Sequence, residues 1–391
     1  MPLLRNWRKK LVTKSDDKRV PALRFKGFTD EWEQRKLGEV STFINGRAYK
    51  QSELLNSGKY KVLRVGNFYT NDSWYYSNLE LADKYYIKKG DLVYTWSATF
   101  GPHIWDGEKV IYHYHIWKIK LSKYLDKNFT LQILEADKAK LLSNTNGSTM
   151  IHVTKNNMEN KVISIPNIKE QKKIGECLMK FDSLIELQQR KATLLKQLKS
   201  TLLDRLISGK DTPLVRFKEF KSNWTVFKLK DIITKTIKGI AKAEMHGKES
   251  IYLDTHYLNG GNPTKVDSPT NVSSNDIIIL WDGSQAGKVY YGFSGALGST
   301  LKSFTPKYSS NYLFQYLKKY QNKIFVNYRT PNIPHVIKDF TTVFKVNLPS
   351  TKEQIIISNL LKTLDAQITV KSDSVNYLKN IKHFLLQNMF I

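Results

Sequence analysis

The chain repeats itself, and this internal repeat constrains its fold more than any other feature of the sequence. Residues 20–40 match residues 212–232 at eight of 21 positions with a constant offset of 192. An offset of 183 relates residues 166–203 to residues 349–386, with 13 of 38 positions identical. The stretches between these blocks are much less alike. This order predicts two globular units built on a common scaffold, each followed by a similar segment.

The repeat divides the chain into five segments. We predict a basic N-terminal arm at 1–19, a globular unit at 20–165, a helical segment at 166–209, a second globular unit at 210–348 and a second helical segment at 349–391. Each globular unit has an α+β pattern, because short runs with strand character are separated by turns and accompanied by a helical stretch. The predicted strands are Tyr60–Val65, Asp91–Trp96, Val110–Lys120, Val162–Ile165, Asp276–Trp281, Lys288–Phe293 and Thr342–Leu348.

Both helical segments begin with a proline and a capping box, Asn167 with Glu170 and Ser350 with Glu353. Apolar residues then recur at alternating spacings of four and three, with one slip of two three-residue steps in each copy. A helix of this length, ~60 Å, is too long to be covered by one small domain, so we predict that the two helices pack on each other. The alternative is that the apolar stripe on one face of each helix docks on its own globular unit. The predicted coiled-coil core is Ile174, Leu178, Phe181, Ile185, Leu195, Leu198, Leu202, Ile357, Leu361, Leu364, Ile368, Leu378, Ile381 and Leu385.

The charge of the chain favours a nucleic-acid partner. There are 62 Lys and Arg residues against 35 Asp and Glu residues, a formal net charge of +27. Neutralising phosphates releases counterions and so favours association of such a surface with nucleic acid, although a solvated positive surface is the plainer alternative. The single cysteine and the absence of long apolar runs predict a cytoplasmic protein with no membrane partner.

We find no convincing motif for catalysis. The run Gly283–Lys288 is one residue short of a phosphate-binding loop, and Val289 stands where a hydroxyl should bind magnesium. The histidines at 103, 113 and 115 have no cysteine or carboxylate at ligand spacing. We therefore expect no catalytic residue, no metal and no cofactor on this chain.

The order of the repeated motifs resembles that of Type I restriction–modification specificity subunits. A Pro-x-x-Arg-Phe-x-x-Phe-x-x-x-Trp-x-x-x-x-Leu opener occurs at Pro21–Leu37 and Pro213–Leu229, and a Pro-x-x-x-Glu-Gln helix start occurs at Pro166–Gln171 and Pro349–Gln354. The likeness covers residues 20–391. It implies an α+β fold in which two target recognition domains each read half of a split site in double-stranded DNA. Two long antiparallel coiled-coil helices would separate the domains in a pseudo-twofold arrangement.

The resemblance also implies partners. Two methylation subunits that use S-adenosylmethionine would dock on the chain, and restriction or translocase subunits that use ATP and magnesium would join them. Two alternatives stay open: a free-standing sequence-specific DNA-binding protein such as a repressor, and a modification enzyme with an unrecognised active site.

Candidate DNA contacts lie in the loops between the predicted strands, where a rigid scaffold can present polar and basic side chains to bases and phosphates. For each of them, a solvated loop residue is the alternative. They are Asn45, Arg47, Arg64, Asn67, Ser97, Thr99, His103, Thr149 and Lys155 in the first unit, and Gln285, Lys288, Thr300, Lys302, Arg329, Asn332 and Lys338 in the second. Trp96 and Trp281, which close matching strands, are predicted to be core residues.

Overall fold

A computed structural model describes residues 20–69, 71–97, 99–143 and 153–391. The chain forms two compact units, and each of them takes part of both long helices. Unit 1 combines the chain up to residue 187 with residues 374–391, and unit 2 is residues 188–373. No helix within the described ranges has the length and apolar character needed to cross a bilayer.

Unit 1 contains two four-stranded sheets, with strand orders β2-β9-β6-β7 and β4-β3-β8-β5, and a separate pair formed by β1 and β10. Its strands are β1 Glu33–Lys36, β2 Ser41–Asn45, β3 Tyr60–Leu63, β4 Tyr75–Ser77, β5 Tyr86–Ile87, β6 Leu92–Thr95, β7 Gly101–Ile104, β8 Val110–Tyr112, β9 Ile116–Leu121 and β10 Val162–Ile165. Its helices are α1 Leu37–Val40, α2 Lys127–Ser143, α3 Lys155–Glu159 and the first half of α4 Ile168–Leu206.

Unit 2 repeats this plan with a four-stranded sheet β12-β18-β15-β16, a three-stranded sheet β14-β13-β17 and the pair β11-β19. Its strands are β11 Thr225–Lys228, β12 Ile233–Lys238, β13 His246–Leu253, β14 Lys265–Val266, β15 Ile277–Leu280, β16 Val289–Tyr291, β17 Ala296–Leu297, β18 Leu301–Pro306 and β19 Lys345–Leu348. Its helices are α5 Thr255–Leu258, α6 Ser310–Lys319, α7 Gln321–Asn327, α8 Phe340–Val343 and the first half of α9 Thr351–Met389. The predicted α+β class is confirmed.

Two predicted strands are wrong in part. Thr342–Leu348 is a strand only over Lys345–Leu348, because Thr342 and Val343 belong to α8. The run Val110–Lys120 is broken at residues 113–115, because β8 pairs with β3 and β5 in one sheet while β9 pairs with β2 and β6 in the other. A chain that passes from one sheet to another has to turn between them. The turn lifts His113 and His115 out of any strand, so their alternation does not place them on a common strand face.

The repeated sequence blocks meet in space within each unit. In unit 1 the Arg24 guanidinium donates to both carboxylate oxygens of Glu170, at 2.7 and 2.8 Å. In unit 2 Arg216 does the same to Glu353, at 2.8 Å on each side. The motif that begins each repeat is therefore bonded to the start of the long helix that follows the same globular unit.

This bond changes the predicted helix caps. Asn167 and Ser350 do accept the backbone N–H groups of Glu170 and Glu353, at 3.0 and 3.3 Å. The two carboxylates bind the arginines instead of reaching back to the cap residue, so each capping box is only half formed. Both glutamate side chains are completely buried, and an arginine partner is what permits burial of their charge.

The two long helices run antiparallel within each unit. In unit 1 Lys382 of α9 is bonded to Asp182 of α4. In unit 2 the roles are exchanged, because Lys199 of α4 is bonded to Asp365 of α9 at 2.7 and 2.8 Å. The offset of 183 relates both aspartates and both lysines, so the two ion pairs are copies of one contact.

Part of the predicted coiled-coil core belongs to the cores of the globular units. Ile174 and Leu178 pack in the unit 1 core with Trp32 and Phe129, together with Met389 from the other helix. Ile357 and Leu361 pack in the equivalent core of unit 2. The predicted packing of the two helices on each other and the alternative, docking of a helix on a globular unit, therefore both occur. The ends of the helices contact the globular units as well as each other.

Leu198 is a wrong core assignment, because 47% of its surface is exposed. It follows the slip in the α4 stripe, and each three-residue step falls about 60° short of a full helical turn. Two such steps separate it from buried Ala192, but the same steps separate half-buried Ile381 from buried Val375 in α9, so the slip alone does not account for the exposure of Leu198. The remaining predicted positions are buried or half-buried: Phe181, Ile185, Leu195, Leu202, Leu364, Ile368, Leu378, Ile381 and Leu385.

Candidate nucleic-acid interface

Three chain segments meet at one end of a sheet in unit 1. β2 ends at Asn45, β6 ends at Thr95 and β9 begins at Ile116, and antiparallel pairing with β9 places these ends side by side. The segment after β2 passes very close to the turn between β8 and β9, at residues 113–115. A Cβ on Gly46 would lie 2.3 Å from the carbonyl oxygen of His113. Only glycine fits there. We call residues 45–49, 96–97 and 113–117 the strand-end site of unit 1.

Aromatic rings and imidazoles cover this strand-end site. The Trp96 ring stacks on Trp117 with centroids 5.7 Å apart, and it meets His115 edge-on at 4.9 Å. The Tyr114 ring lies 4.4 Å from His113 and 4.0 Å from His115. Such groups can stack on bases or form hydrogen bonds with base edges. Trp96 is only half-buried, so its predicted place in the core holds for one face of the ring.

The imidazoles of this site are neutral at pH 7. Burial, followed by the charges of His115 and Arg64, lowers the pKa of His113 to about 4. Burial also lowers the pKa of His115. A neutral imidazole offers one donor and one acceptor, which suits discrimination between base edges better than attraction to phosphate.

Unit 2 builds an equivalent arrangement from its own strand ends. β12 ends at Lys238, β15 ends at Leu280 and β18 begins at Leu301, with β18 between the other two. A Cβ on Gly239 would lie 1.8 Å from the carbonyl oxygen of Gly298, so glycine is again required. We call residues 238–242, 281–285 and 298–302 the strand-end site of unit 2.

The two sites share their backbone contacts but differ in their surface. The Trp281 backbone N–H donates to Thr300 O at 2.8 Å, as that of Trp96 donates to His115 O at 3.1 Å. Trp281 is buried as predicted, and the Lys302 ammonium lies 3.5 Å above its ring. A lysine therefore occupies the place that Trp117 has over Trp96. Burial, followed by the charge of Lys238, lowers the pKa of Lys302.

The structure brings several predicted contact residues of unit 1 together. Asn45, Arg47 and Ser97 lie in the strand-end site, and Asn45 and Lys155 line one cleft of about 440 Å³ with Lys84. Thr99 is exposed in the segment before β7. Thr149 lies outside the described residues.

Three other predicted residues of unit 1, Arg64, Asn67 and His103, lie beside the strand-end site, and the charge of Arg64 acts on His113. The Asn67 side chain accepts the Arg64 backbone N–H at 3.0 Å and donates to Asn71 O and Ser73 O. His103 stacks on Phe68 with centroids 4.3 Å apart. These contacts hold the segment after β3 in place, so these residues have a structural task of their own.

In unit 2 the strand-end site includes Gln285, Thr300 and Lys302. Lys288 donates to Asn259 Oδ1 at 2.6 Å. Arg329 donates to Ser284 O at 3.1 Å, which ties the loop after α7 to the site. Asn332 and Lys338 are exposed on that loop and beyond it. All of these residues remain predictions as DNA contacts.

Tyr114 and Ile240 both lie at the surface of these sites and are not among the contact residues predicted from the sequence. The signal in unit 1 is a run of three ring residues at 113–115 within the predicted strand Val110–Lys120. In unit 2 the signal is an apolar residue inside the basic segment from Lys238 to Lys242.

Acidification is expected to destabilise unit 1 through His103. Burial, followed by the charge of Lys138, lowers the pKa of His103 from an ordinary 6.5 to about 4. The unfolded chain binds this proton first, so stability is unaffected above pH 6.5 and is lost as the pH falls from 6.5 toward 4. At pH 5 the loss should be on the order of 2 kcal/mol.

The check is thermal unfolding of the wild type and of His103→Gln at pH 7.5 and pH 5. The variant should lose less melting temperature on acidification than the wild type. Equal losses in the two proteins would contradict the assignment to His103.

Comparison with known proteins identifies the family. A family model described as the Type I restriction modification DNA specificity domain matches the chain twice, at residues 29–197 and 221–380. The chain belongs to the Type I restriction–modification DNA specificity family. Each matched stretch contains one strand-end site and most of one long helix. The two copies of the family domain therefore coincide with the two copies of the strand-end site.

Two curated members of the specificity family align with part of the chain. The MjaVIII specificity subunit of Methanocaldococcus jannaschii is 33% identical over 179 residues, which is 43% of this chain and 42% of that protein. The EcoBI specificity subunit of Escherichia coli is 26% identical over 194 residues, 47% of this chain and 40% of that protein. The chain thus spans less than half of the length of these relatives.

A solved structure supports the fold over 95% of the chain. The Type I restriction–modification S subunit of M. genitalium superposes with a TM-score of 0.70 and 18% identity, covering 95% of this chain and 99% of that one. The fold of the specificity family is therefore shared at low sequence identity.

Proposed function

We propose that this chain binds a two-part DNA sequence, with one half-site recognised by each strand-end site. The observation that supports this most strongly is the duplicated backbone. Gly46 approaches the carbonyl oxygen of His113 as Gly239 approaches that of Gly298, yet the side chains around the two glycines differ in chemistry. A common scaffold with two unlike surfaces suits a target whose halves differ in sequence. DNA is the ligand favoured by the net charge of +27.

In this proposal the chain recognises the DNA sequence, and partner subunits catalyse the reactions on the DNA. Methylation subunits would bring S-adenosylmethionine, and restriction or translocase subunits would bring ATP and magnesium. The relatives from M. jannaschii and E. coli are specificity subunits of Type I restriction enzymes, which supports such an assembly for this chain.

Exposed apolar side chains on the long helices support docking of partner subunits there. In unit 2 Leu194 is 54% exposed, and in unit 1 Tyr377 is 53% exposed. These positions correspond under the offset of 183, so each copy of the repeat carries an apolar group at the same place. Leu187 and Phe384 are also exposed in unit 1, at 45% and 55%. Two equivalent surfaces suit two copies of one partner.

Replacing Leu194 and Tyr377 with aspartate is expected to abolish co-purification of the chain with a co-expressed methylation subunit. A charge at the centre of an apolar contact has to be desolvated without a partner, which should weaken binding at least tenfold. The measurement is the amount of partner retained on the tagged chain. Val326→Asp is the matched control, since Val326 is 72% exposed but lies on α7. Full retention with the double variant would contradict docking on the helices.

The function is tested by expressing the chain with its genomic neighbours and mapping methylated adenines in the host DNA. We expect one two-part motif that disappears when the chain is omitted. A chain that binds a two-part site tightly without any partner, and that directs no methylation, would favour the free-standing DNA-binding protein. Methyl transfer by the purified chain alone would favour the modification enzyme.

A further inference from the structure

Arg47 in unit 1 and Ile240 in unit 2 occupy the same position of the duplicated scaffold. The run Ile44-Asn45-Gly46-Arg47-Ala48 corresponds to Ile237-Lys238-Gly239-Ile240-Ala241 with an offset of 193. The offset of the preceding block is 192, and the pairing of β12 with β18 contains the extra residue, because the register shifts between Ile233 and Lys235. The bulge therefore brings two unlike residues to equivalent places.

The same hydrogen bond fixes the backbone at both residues. The Arg47 N–H donates to Tyr112 O at 3.1 Å, and the Ile240 N–H donates to Leu297 O at 3.1 Å. The offset of 185 that relates Trp96 to Trp281 also relates the two acceptors. A glycine precedes each residue, where no Cβ fits against the neighbouring turn. The scaffold thus presents one side chain in each unit from a rigid, pre-organised loop.

The two side chains differ in what they can recognise. Arg47 is half-exposed and donates from Nη1 and Nη2 to Glu53, at 3.0 and 2.7 Å. This pairing uses one edge of the guanidinium, which has further N–H donors on its Nε edge. Glu53 therefore orients the group without using all of its donors.

Ile240 is an apolar group in a basic setting. It is 62% exposed and stands between Lys238 and Lys242, which are exposed too. Single exposed apolar residues are common on protein surfaces, but this one sits on a pinned loop at the position where the other unit holds an arginine. An aliphatic side chain near DNA contacts the C5-methyl group of thymine, whereas arginine donates to O6 and N7 of guanine.

We propose that this paired position determines specificity, reading a guanine through Arg47 in one half-site and a thymine through Ile240 in the other. The inference rests on the proposed function and deepens it, because it assigns one base pair in each half-site to one residue. Lysines near each residue are placed to bind DNA phosphates whatever the base sequence. They are Lys238 and Lys242 beside Ile240, and Lys84 and Lys155 in the cleft that Asn45 lines.

The test is selection of bound sequences from a random DNA pool by the chain together with its co-expressed methylation subunit. For Ile240→Arg we expect one base pair of one half-site to change from thymine toward guanine, with roughly 5- to 150-fold altered discrimination. The other half-site and the spacing should not change. Arg47→Ile should alter one base pair of the other half-site in the opposite sense. Ile240→Ala should weaken the thymine preference without creating a guanine preference.

Leu214→Arg is the matched control, because Leu214 lies in unit 2, is 85% exposed and gains the same charge. It should leave the selected motif unchanged. If Ile240→Arg also selects the wild-type motif, the paired position does not read bases. If the wild type itself selects no two-part motif, the proposed function fails, and the inference fails with it.

Discussion

Replacing Glu353 with alanine is expected to destabilise unit 2 by roughly 3–5 kcal/mol, the usual cost of breaking a buried ion pair. The Glu353 side chain is completely buried and both of its oxygens accept from Arg216. Its removal leaves the Arg216 guanidinium, which is only 15% exposed, without its carboxylate. The measurement is the free energy of unfolding from urea titration, followed by the fluorescence of the unit's tryptophans.

Two controls separate the ion pair from general effects of mutation. Glu219→Ala removes an exposed carboxylate near the same arginine in sequence and should change stability by less than about 0.5 kcal/mol. Arg216→Met combined with Glu353→Leu removes both charges, and most of the lost stability should return. A Glu353→Ala protein as stable as the wild type would show that the opener and the helix start do not depend on this bond.

A fragment of residues 1–209 is expected to form a homodimer. The helix contacts of the two units are copies, since Asp182 pairs with Lys382 in unit 1 and Lys199 pairs with Asp365 in unit 2. In the fragment, Asp182 of one copy can pair with Lys199 of the other, twice. Leu206 and Ile207 are buried in the core of unit 2, as Met389 and Phe390 are in that of unit 1.

Sedimentation equilibrium should give this fragment twice its monomer mass at micromolar concentration. Asp182→Lys opposes like charges twice and should weaken the dimer at least tenfold. Adding Lys199→Asp should restore the attraction and the dimer. A wild-type fragment that stays monomeric would mean that the contacts of the two units are not interchangeable.

The periodic elements could be predicted from the sequence because their signals are local. The stripes of α4 and α9, their cap residues and most strands depend on neighbouring residues in the chain. The exposure of Leu198 could not be predicted in this way, because the equivalent Ile381 follows the same slip in α9 and is half-buried. The break in the run from Val110 to Lys120 could not either, since it depends on which partners the strands choose.

The candidate sites were predicted only in part for the same reason. Asn45, Arg47, Thr300 and Lys302 have the chemistry of base or phosphate contacts, and this can be recognised residue by residue. Their assembly with Trp96 and His115, or with Trp281, requires the antiparallel pairing of three strands. Asn67 has the same chemistry, but its hydrogen bonds hold its own loop.

The sequence by itself determined the duplication, the two long helices and the family, because each is carried by identities and spacings along the chain. Only the tertiary structure decided that Glu170 and Glu353 bind arginines more than 130 residues away and that Arg47 and Ile240 share one position. Side-chain identity gives the chemistry of a group, whereas its partner depends on packing between segments that are distant in sequence. The two long helices combine both levels: the spacing of their apolar residues predicted the stripes, and the two units decided what each stripe contacts.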